Sequence, residues 1–341
     1  MNVLSIFDGG AMAYDALLKA GNDPHDINYY ASEIDPYAIA VSTARVPNIK
    51  HVGDVRLING NAYLGFDLLI GGSPCTNLSI AGNGKGLKGT ESQLFWEYVR
   101  IWREGNFKYF LLENVKSMSD LDRDIISATL GVLPIMINSA LVSAQNRKRY
   151  YWTNIPDVTQ PEDLEIRLAD ILETDVDRKY YIDAVNVEWN EDMLDLMDNH
   201  DAQIPARVGT IGKGRMGERI YHPKGKSVAL MANGGGRGAK TGLYAEYVDR
   251  DKSYCIDANY FKGGNPKSYF EGSRRQLVFR VNGHDVSYRK LTPTECERLQ
   301  TLPDGWTDVG ISQTQRYKIL GNGFTTKVIA HILKNMKNGN R

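Results

Sequence analysis

Short apolar runs alternate with stretches of helical period along the first half of the chain. Five of these runs predict buried strands, at Val3–Phe7, Tyr29–Ser32, Leu68–Ile70, Tyr109–Leu112 and around Ala140–Ser143. Helical stretches lie between the runs, and the first of them follows Gly9-Gly10 and covers Ala13–Ala20. Strands separated by helical stretches of this length are typical of βαβ units and a parallel sheet. Residues 1–156 are therefore predicted to form an α/β, doubly wound, mostly parallel sheet.

The pattern changes after Pro156. Residues from about 175 to 287 are rich in glycine and aromatic residues and show little helical period. Helical period then returns, with Thr292 predicted as a helix cap and Pro293 as the first helical residue. A final amphipathic helix is predicted over Thr325–Met336. We therefore predict an α/β domain over 1–174, a smaller irregular domain over 175–287, and C-terminal helices over 288–341 that return to the first domain.

The composition limits the class of protein that this chain can be. It has 341 residues, of which 42% are hydrophobic, and 41 basic residues balance 41 acidic ones. A chain without net charge binds nucleic acid only through a local basic surface. No apolar run approaches the roughly 20 residues of a membrane helix, and the N-terminus is predicted to be a strand and not a signal peptide. We therefore expect a soluble protein of the cytoplasm.

The three cysteines, Cys75, Cys255 and Cys296, are far apart in the sequence. This spacing argues against a disulfide framework and against a structural zinc site. The six histidines are scattered without the spacing of metal ligands, so no metal is expected.

Two of the predicted strands end in reactive side chains. The run at Leu68–Ile70 leads through two glycines to Pro74-Cys75, and the run at Tyr109–Leu112 leads to Glu113. Because the carboxyl ends of parallel strands meet at one edge of an open sheet, the thiol and the carboxylate are expected to lie together. A lone cysteine is more often a buried structural residue, and a lone glutamate a cap or an ion-pair partner. Their paired placement favours a nucleophile and an acid.

This pair suits attack on a pyrimidine ring. A thiolate at Cys75 can add to carbon 6, which makes carbon 5 able to take a methyl group from S-adenosylmethionine. Glu113, if protonated or sharing a proton, can hydrogen-bond the ring nitrogen and withdraw electrons. A free thiol, with a pKa of about 8.5, is mostly protonated at neutral pH, so the site must supply positive charge or donors. Arg147 and Arg149 are candidates for this charge and for a clamp on the target nucleotide and its phosphate. The alternative for these arginines is a solvated basic turn.

Three successive strand ends carry features of a nucleoside site. Gly9 and Gly10 follow the first strand, where glycine lets the backbone approach a ligand at a helix N-terminus. Glu33 ends the second strand, where an acid typically binds ribose hydroxyls, and Asp54 ends the third, placed to accept from an adenine amino group. Either acid alone would more often be a solvated carboxylate or a cap. The three together predict a nucleoside cofactor, and no P-loop lysine motif indicates ATP.

The same residues match the motifs of a known family in order and spacing. The segments are Phe7-Asp8-Gly9, Glu33-Ile34-Asp35, Gly53-Asp54-Val55, Gly72-Ser73-Pro74-Cys75, Glu113-Asn114-Val115, Gln145-x-Arg147-x-Arg149, the stretch from Arg289 to Gln300, and Gly321-Asn322-Gly323-Phe324. The chain resembles DNA (cytosine-5) methyltransferases nearly end to end, most of all those of phages and bacteria. The resemblance implies a Rossmann-like, class I S-adenosylmethionine-dependent methyltransferase fold, in the cytoplasm of a bacterial host or a phage-infected cell. It also implies that 175–287 is a target-recognition domain.

The resemblance further implies roles for individual residues. Catalytic roles would belong to Cys75, Glu113, Arg147 and Arg149. Contacts with S-adenosylmethionine would come from Phe7, Asp8, Gly9, Gly10, Glu33, Ile34, Asp54, Val55, Pro74, Leu94, Asn322, Gly323 and Phe324. Contacts with DNA would come from Asn77, Ser79, Lys85, Arg237, Lys240, Arg274 and Arg275. For any one of these cations, a solvated surface charge is the alternative.

The substrate implied is double-stranded DNA, from which the target cytosine must be flipped at a cost of a few kcal/mol. Residues 76–92 would form the mobile loop that closes on the DNA. We expect a monomer. The sequence leaves open whether a restriction endonuclease is a partner and which bases are recognised.

One segment departs from the family pattern. Relatives of this type usually keep glycine where this chain has Ala13, and Met12 lies beside it. The added bulk would crowd the methionine end of the cofactor, or the turn is shifted slightly without consequence. Two alternatives therefore accompany DNA cytosine carbon-5 methylation: transfer of a non-methyl group from a modified S-adenosylmethionine, and a DNA-binding homologue without catalysis. Intact Cys75, Glu113 and Arg149 argue against the last of these.

Overall fold

The computed structural model describes residues 1–73, 93–166, 168–185, 187–189, 207–211, 219–221, 243–244, 252–256, 258, 260, 277–282 and 285–338. The first half forms strands β1 (Asn2–Ile6), β2 (Asn28–Ser32), β3 (Lys50–His51), β4 (Leu68–Gly72), β5 (Tyr109–Val115), β6 (Ile135–Asn138) and β7 (Lys148–Thr153). They make a seven-stranded sheet in the order β3-β2-β1-β4-β5-β7-β6. Neighbours from β3 to β5 are parallel, whereas β7 is antiparallel to both β5 and β6. The prediction of a mostly parallel sheet is confirmed.

Helices cover both faces of this sheet. They are α1 (Met12–Lys19), α2 (Pro36–Arg45), α3 (Gln93–Gly105), α4 (Asp120–Leu130), α5 (Pro293–Leu299), α6 (Gln313–Asn322) and α7 (Thr326–Leu333). Successive strand residues point to opposite faces. Leu68 and Leu111 therefore join one core with residues of α1, α2 and α5 to α7, and their neighbours Leu69 and Leu112 join the other with residues of α3 and α4. Among the helices that the structure describes, none has the length and apolar character to cross a membrane.

The helix starts follow signals that are visible in the sequence. Pro36 opens α2 behind the cap Asp35, whose carboxylate accepts a backbone amide at 2.9 Å. Thr292 and Glu295 form a capping box at α5, with reciprocal hydrogen bonds of 3.1 Å and 2.8 Å. The predicted cap at Thr292 and first helical residue at Pro293 are thus confirmed.

The predicted strand around Ala140–Ser143 is wrong. Ser139–Leu141 form a 3-10 turn between β6 and β7, with Asn138 as its cap. Val142 is buried and Leu141 partly buried in the core that holds the C-terminal helices, and a short apolar run does not distinguish that burial from a strand. The final helix is also shorter than the predicted Thr325–Met336, because α7 ends at Leu333 and a 3-10 turn follows.

The second half of the chain contributes two smaller sheets. Its described strands are β8 (Tyr181–Val185), β9 (Val187–Trp189), β10 (Arg207–Ile211), β11 (Arg219–Tyr221), β12 (Leu243–Tyr244), β13 (Leu277–Asn282) and β14 (Asp285–Lys290). They pair in the orders β13-β14-β8 and β12-β11-β10-β9. β14 crosses residue 287, and Ile256 and Tyr260 are buried in the same core as α5 and α6. The division at 174 and 287 therefore stays a prediction, and a part of the middle region packs on the α/β core.

Candidate active site

A charged pair marks the carboxyl end of β5. Glu113 lies on β5 and Arg149 on the antiparallel neighbour β7, so the start of β7 lies beside the end of β5. The Arg149 Nε atom is 2.9 Å from Glu113 Oε1, and the two side chains are only 14% and 12% exposed. Solvent and salt screen such a sheltered ion pair little, so the guanidinium controls where the carboxylate points.

The end of β4 lies directly beside this pair. Gly72 is in register with Glu113, and a Cβ atom at Gly72 would lie 3.0 Å from Glu113 Oε2 and 3.1 Å from the ring of Phe324. Glycine is thus what lets the carboxylate and the ring approach this strand closely. Cys75 follows shortly after Gly72 in the sequence but lies outside the described residues. The structure therefore locates the strand that leads to Cys75, and the position of the thiol stays a prediction.

Asn114 supports the chain between β4 and Cys75. Its buried amide donates to the Ser73 carbonyl at 3.3 Å and to Ser73 Oγ at 3.0 Å. Its side-chain oxygen accepts from the Val115 amide at 2.8 Å. Buried amides need such partners, and these bonds hold the residue after β4 in place. No role was predicted for Asn114, because its partner Ser73 becomes evident only when β4 and β5 are paired.

The second arginine has different partners from the first. Arg147 is 3% exposed, and its guanidinium donates to the carbonyls of Gly323 at 2.9 Å and Gly321 at 3.4 Å. It also donates to the Ile256 carbonyl at 3.4 Å and lies 3.1 Å from Cys255 Sγ. These bonds join the residue just before β7 to the segment before α7 and to a segment of the middle region. The predicted contact of Arg147 with the target nucleotide stays a prediction.

Cys255 is a second thiol at this edge of the sheet. Its Sγ atom is half-buried, 3.1 Å from Arg147 Nη1 and 3.9 Å from Arg149 Nη2. Burial alone would raise the pKa of this thiol, but the charges and hydrogen bonds of the two guanidinium groups lower it below its ordinary value. No role for Cys255 was predicted, and only the fold brings it to the arginines.

The turn after β1 has an uncommon backbone. Phe7, Gly9 and Ala11 have φ angles of 56°, 62° and 58°, in the left-handed region that is costly for residues other than glycine. Glu33 stabilises this turn, because its Oε2 accepts from the Gly9 amide at 2.9 Å. Its Oε1 accepts from the backbone amides of Ile34 and Asp35 at 2.7 Å and 2.9 Å. Glu33, which is predicted to bind the cofactor ribose, thus lies at the carboxyl ends of β1 and β2.

Ile34 and Asp54 are accessible at the ends of β2 and β3. Ile34 is 66% exposed, which leaves an apolar face open at the sheet edge. Asp54 caps a short 3-10 turn and pairs with Arg56, whose hydrogen bonds lower the pKa of the carboxyl. Val55 is instead buried in the core with α3. Ile34 and Asp54 can therefore reach a ligand, whereas Val55 anchors the short 3-10 turn in the core.

Asp8 turns inward. Its carboxyl group is buried and accepts from the Tyr29 hydroxyl at 2.5 Å. Its other oxygen has no hydrogen-bond partner among the described residues. Burial raises the pKa of Asp8 to about 7, although the bond from Tyr29 acts in the opposite direction. This predicted cofactor residue therefore lies beneath the turn and faces β2.

The C-terminal helices close over the same turn. Trp306 Nε1 donates to the Gly10 carbonyl at 2.8 Å, and a Cβ atom at Gly10 would lie 2.9 Å from Ile319 Cγ2. Met12 packs directly against Gly323, where any side chain would overlap the methionine sulfur. The segment that departs from the family pattern is thus in contact with another predicted cofactor segment.

The remaining predicted residues divide into two groups. Asn322 is exposed at the end of α6, Phe324 is buried beside Gly72, and Leu94 is partly buried on α3. The predicted residues outside the described part of the chain are Pro74, Cys75, Asn77, Ser79, Lys85, Arg237, Lys240, Arg274 and Arg275.

The fold and the arrangement of the edge define a class of protein. A doubly wound sheet with acidic strand ends at β2 and β3, and a Glu–Arg pair beside the strand that leads to Pro-Cys, has the class I fold of S-adenosylmethionine-dependent methyltransferases. The sequence profile of the C-5 cytosine-specific DNA methylase family matches residues 1–338. The chain belongs to this family, and it is a DNA (cytosine-5-)-methyltransferase.

Proteins with similar sequences come from phages and bacteria. The chain is 27% identical to the orphan methyltransferase M.SPRI of Bacillus phage SPR, over 98% of this chain and 97% of that protein. It is 28% identical to the type II methyltransferase M.HhaI of Haemophilus parahaemolyticus, over 90% of this chain and 86% of that protein. The resemblance to phage and bacterial enzymes is confirmed.

Solved structures share the fold. The S. pombe Dnmt2 methyltransferase has a TM-score of 0.60 at 15% identity, over 99% of this chain and 98% of that chain. The Entamoeba histolytica methyltransferase EhMeth has a TM-score of 0.66 at 15% identity, over 99% of this chain and 98% of that chain. At this identity the likeness concerns the fold alone.

Proposed function

We propose that the enzyme flips a cytosine out of double-stranded DNA, attacks its carbon 6 with Cys75, and methylates its carbon 5. The Glu113–Arg149 ion pair carries this assignment of the base site. The pair is sheltered, lies at the carboxyl end of β5, and adjoins the strand that leads to Cys75. A carboxyl group held there by a guanidinium is placed to hydrogen-bond the edge of a flipped base.

The chemistry follows from the electron demand of the ring. Attack by the Cys75 thiolate forms a carbon–sulfur bond at carbon 6 and moves electron density towards carbon 5 and the ring nitrogen. A proton shared between Glu113 and the ring nitrogen stabilises that density, and Arg149 keeps the carboxyl group in place. After carbon 5 has been methylated, a base removes its proton, the carbon–sulfur bond breaks, and the thiolate is regenerated.

We infer that S-adenosylmethionine binds at the carboxyl ends of β1 to β3. The residues fit this cofactor, because exposed Ile34 offers a face to adenine and the carboxylates of Glu33 and Asp54 offer acceptors to hydroxyl and amino groups. When bound, the cofactor supplies an electrophilic methyl group. The side chain of Met12 packs on Gly323, so its bulk is taken up within the protein. That contact supports ordinary S-adenosylmethionine over a modified analogue.

Covalent trapping tests the nucleophile. DNA with 5-fluorocytosine at the target positions keeps the carbon–sulfur bond, because fluorine does not leave as a proton does. With S-adenosylmethionine present, the wild-type enzyme should give a denaturant-resistant complex and Cys75→Ser should give none. Cys296→Ala, which alters a buried core cysteine on α5, is the matched control and should still be trapped. No complex from folded wild-type enzyme would overturn the proposal and support a DNA-binding homologue without catalysis.

The product and the target sequence need a second experiment. Mass spectrometry of nucleosides from DNA treated with the enzyme should show 5-methylcytosine, and a heavier adduct would indicate a modified cofactor instead. Bisulfite sequencing of the same DNA would give the recognised bases. We propose that Arg237 and Lys240 contribute to that recognition. We also propose that the enzyme acts as a monomer, and sedimentation of the enzyme–DNA complex would measure its oligomeric state.

A further inference from the structure

We propose that Cys255 is a positioning residue for this reaction, whose sulfur is the counter-group that holds Arg147 and Arg149 at the base site. The effect on catalysis rests on the proposed function of Glu113 and Arg149. The contact itself does not, and it can be measured without DNA.

The backbone around Cys255 is fixed to the catalytic core. The Ser253 amide donates to the Ala144 carbonyl at 2.7 Å, and the Ser253 carbonyl accepts a second bond of 3.0 Å. On the other side of Cys255, the Ile256 amide donates to Oε1 of the buried Gln145 at 3.1 Å. Because Ser253 and Ile256, on either side of Cys255, are both bonded to the segment that leads into β7, the main chain determines where the sulfur lies.

Arg147 needs this sulfur because it is buried. Among the residues that the structure describes, no carboxylate lies within ion-pair distance of Arg147, whose guanidinium contacts carbonyl oxygens and Cys255 Sγ. Burial of a guanidinium without a counter-charge is costly. Of the groups in contact with it, the sulfur at 3.1 Å is the one that can become an anion.

The same sulfur reaches the ion pair of the base site. It lies 3.9 Å from Arg149 Nη2, and Arg149 Nε is bonded to Glu113. The charged groups that contact the sulfur are thus Arg147 and Arg149, and Glu113 is bonded to Arg149. A protonated Cys255 donates to the Ile256 carbonyl at 3.3 Å, whereas a thiolate accepts from both arginines. Loss of the sulfur would remove one contact from each guanidinium group, and any shift of Arg149 would move Glu113 with it.

The first test measures alkylation of Cys255 by iodoacetamide over a range of pH in wild-type protein without DNA, by peptide mass spectrometry. The thiolate is the reactive form, so the midpoint of the rate against pH reports the ionisation of the sulfur. We expect a lower midpoint in the folded protein than in the same chain unfolded in urea, and a higher midpoint in Arg147→Gln than in wild type. Equal midpoints in the folded and unfolded wild-type chain would overturn the proposal. Since no turnover is involved, this result is independent of whether Cys75 acts as proposed.

The second test compares Cys255→Ser with Cys255→Ala. Serine keeps an acceptor for Arg147 and alanine does not, so kcat should fall in the order wild type, serine, alanine. The alanine variant should lose on the order of tenfold in kcat, with little change in the KM for S-adenosylmethionine. The same two substitutions at fully buried Cys296 are the control, where alanine should be tolerated better than serine because the site lies in the apolar core. If alanine were as good as serine at position 255, the sulfur would only fill space and the proposal would be wrong.

Discussion

The base site and the cofactor turn lie on one edge of the sheet but are held in different ways. At the base site, charged side chains from β5 and β7 meet a thiol from the middle region, across more than a hundred positions in the sequence. At the cofactor turn, Glu33 accepts hydrogen bonds from three backbone amides that lie close to it in the fold. The first arrangement orients a charge, and the second maintains a backbone shape. Substitutions should therefore separate, with losses of kcat at the base site and losses of cofactor affinity at the turn.

One segment belongs to both regions. The Gly323 carbonyl accepts from Arg147 of the base site at 2.9 Å, and the Gly323 backbone is covered by Met12 of the cofactor turn. Changes in this segment should disturb both properties together.

The largest effect is expected from Glu113→Gln. Glutamine keeps the size of the side chain but loses the ion pair with Arg149 and the acid that supports the ring nitrogen. We expect kcat to fall by about a thousandfold, as on removal of a group that stabilises transition-state charge. Calorimetry with S-adenosylhomocysteine should show nearly unchanged affinity. Glu162→Gln, on an exposed glutamate, is the control. A large loss of cofactor affinity in Glu113→Gln would remove the distinction between the two regions.

Asp8 allows a test of the cofactor turn through pH. Burial raises the pKa of Asp8 from 3.8 to about 7 in the folded protein. Between these values the unfolded chain loses a proton that the folded chain keeps, so stability falls as pH rises. The loss begins near pH 4, is complete above about pH 7, and amounts to at most about 4 kcal/mol.

Asp8→Asn should abolish this dependence, because asparagine can still accept from Tyr29 and has no proton to lose. Urea unfolding at several pH values should show wild type losing stability relative to Asp8→Asn between about pH 4 and pH 7. Exposed Asp175→Asn should follow wild type throughout. Parallel curves for wild type and Asp8→Asn would mean that Asp8 is ionised in the folded protein and that the turn is held differently.

What the sequence predicts well is local. The runs at Leu68–Ile70 and Tyr109–Leu112 were recognisable because parallel strands covered on both faces are continuous apolar segments. The cap at Thr292 was recognisable because its partner lies three positions away. The misread stretch Ala140–Ser143 is apolar for a tertiary reason, burial under the C-terminal helices.

What the sequence does not predict is pairing at a distance. Arg147 and Cys255 are 108 positions apart, and no local pattern relates them. Asp8 has the position of a cofactor ligand in the sequence. Only the pairing of β1 with β2 shows that its carboxyl group accepts a hydrogen bond from the Tyr29 hydroxyl. The motif residues were therefore identifiable, whereas the partners that orient them required the fold.

Glu33→Gln tests the cofactor turn directly. Both oxygens of Glu33 accept from amides, so either orientation of a glutamine amide places an NH₂ group against a backbone donor. We expect the Kd for S-adenosylhomocysteine to rise by about tenfold or more, with little change in kcat at saturating cofactor. Glu162→Gln again serves as control. A loss of kcat with unchanged affinity would place Glu33 with the base site.

The smallest effects, and the sharpest test of where the two regions meet, come from Gly323. Its φ of −80° suits any residue, so Gly323→Ala is opposed chiefly by contact with Met12, and also by the Ile319 carbonyl, 3.2 Å from the added Cβ. We expect a loss of about 1 to 2 kcal/mol in stability, from overpacking. Met12→Ala removes the overlapping side chain, so the double variant should be about 1 kcal/mol more stable than the summed losses of the two single variants predict.

Because the Gly323 carbonyl also holds Arg147, kcat and cofactor affinity should fall together in Gly323→Ala and recover together in the double variant. Urea unfolding, calorimetry and steady-state kinetics on the four proteins would measure this. Strictly additive effects would show that Met12 is not the obstacle, and a fall in cofactor affinity alone would assign Gly323 to the cofactor turn and leave Arg147 independent of it.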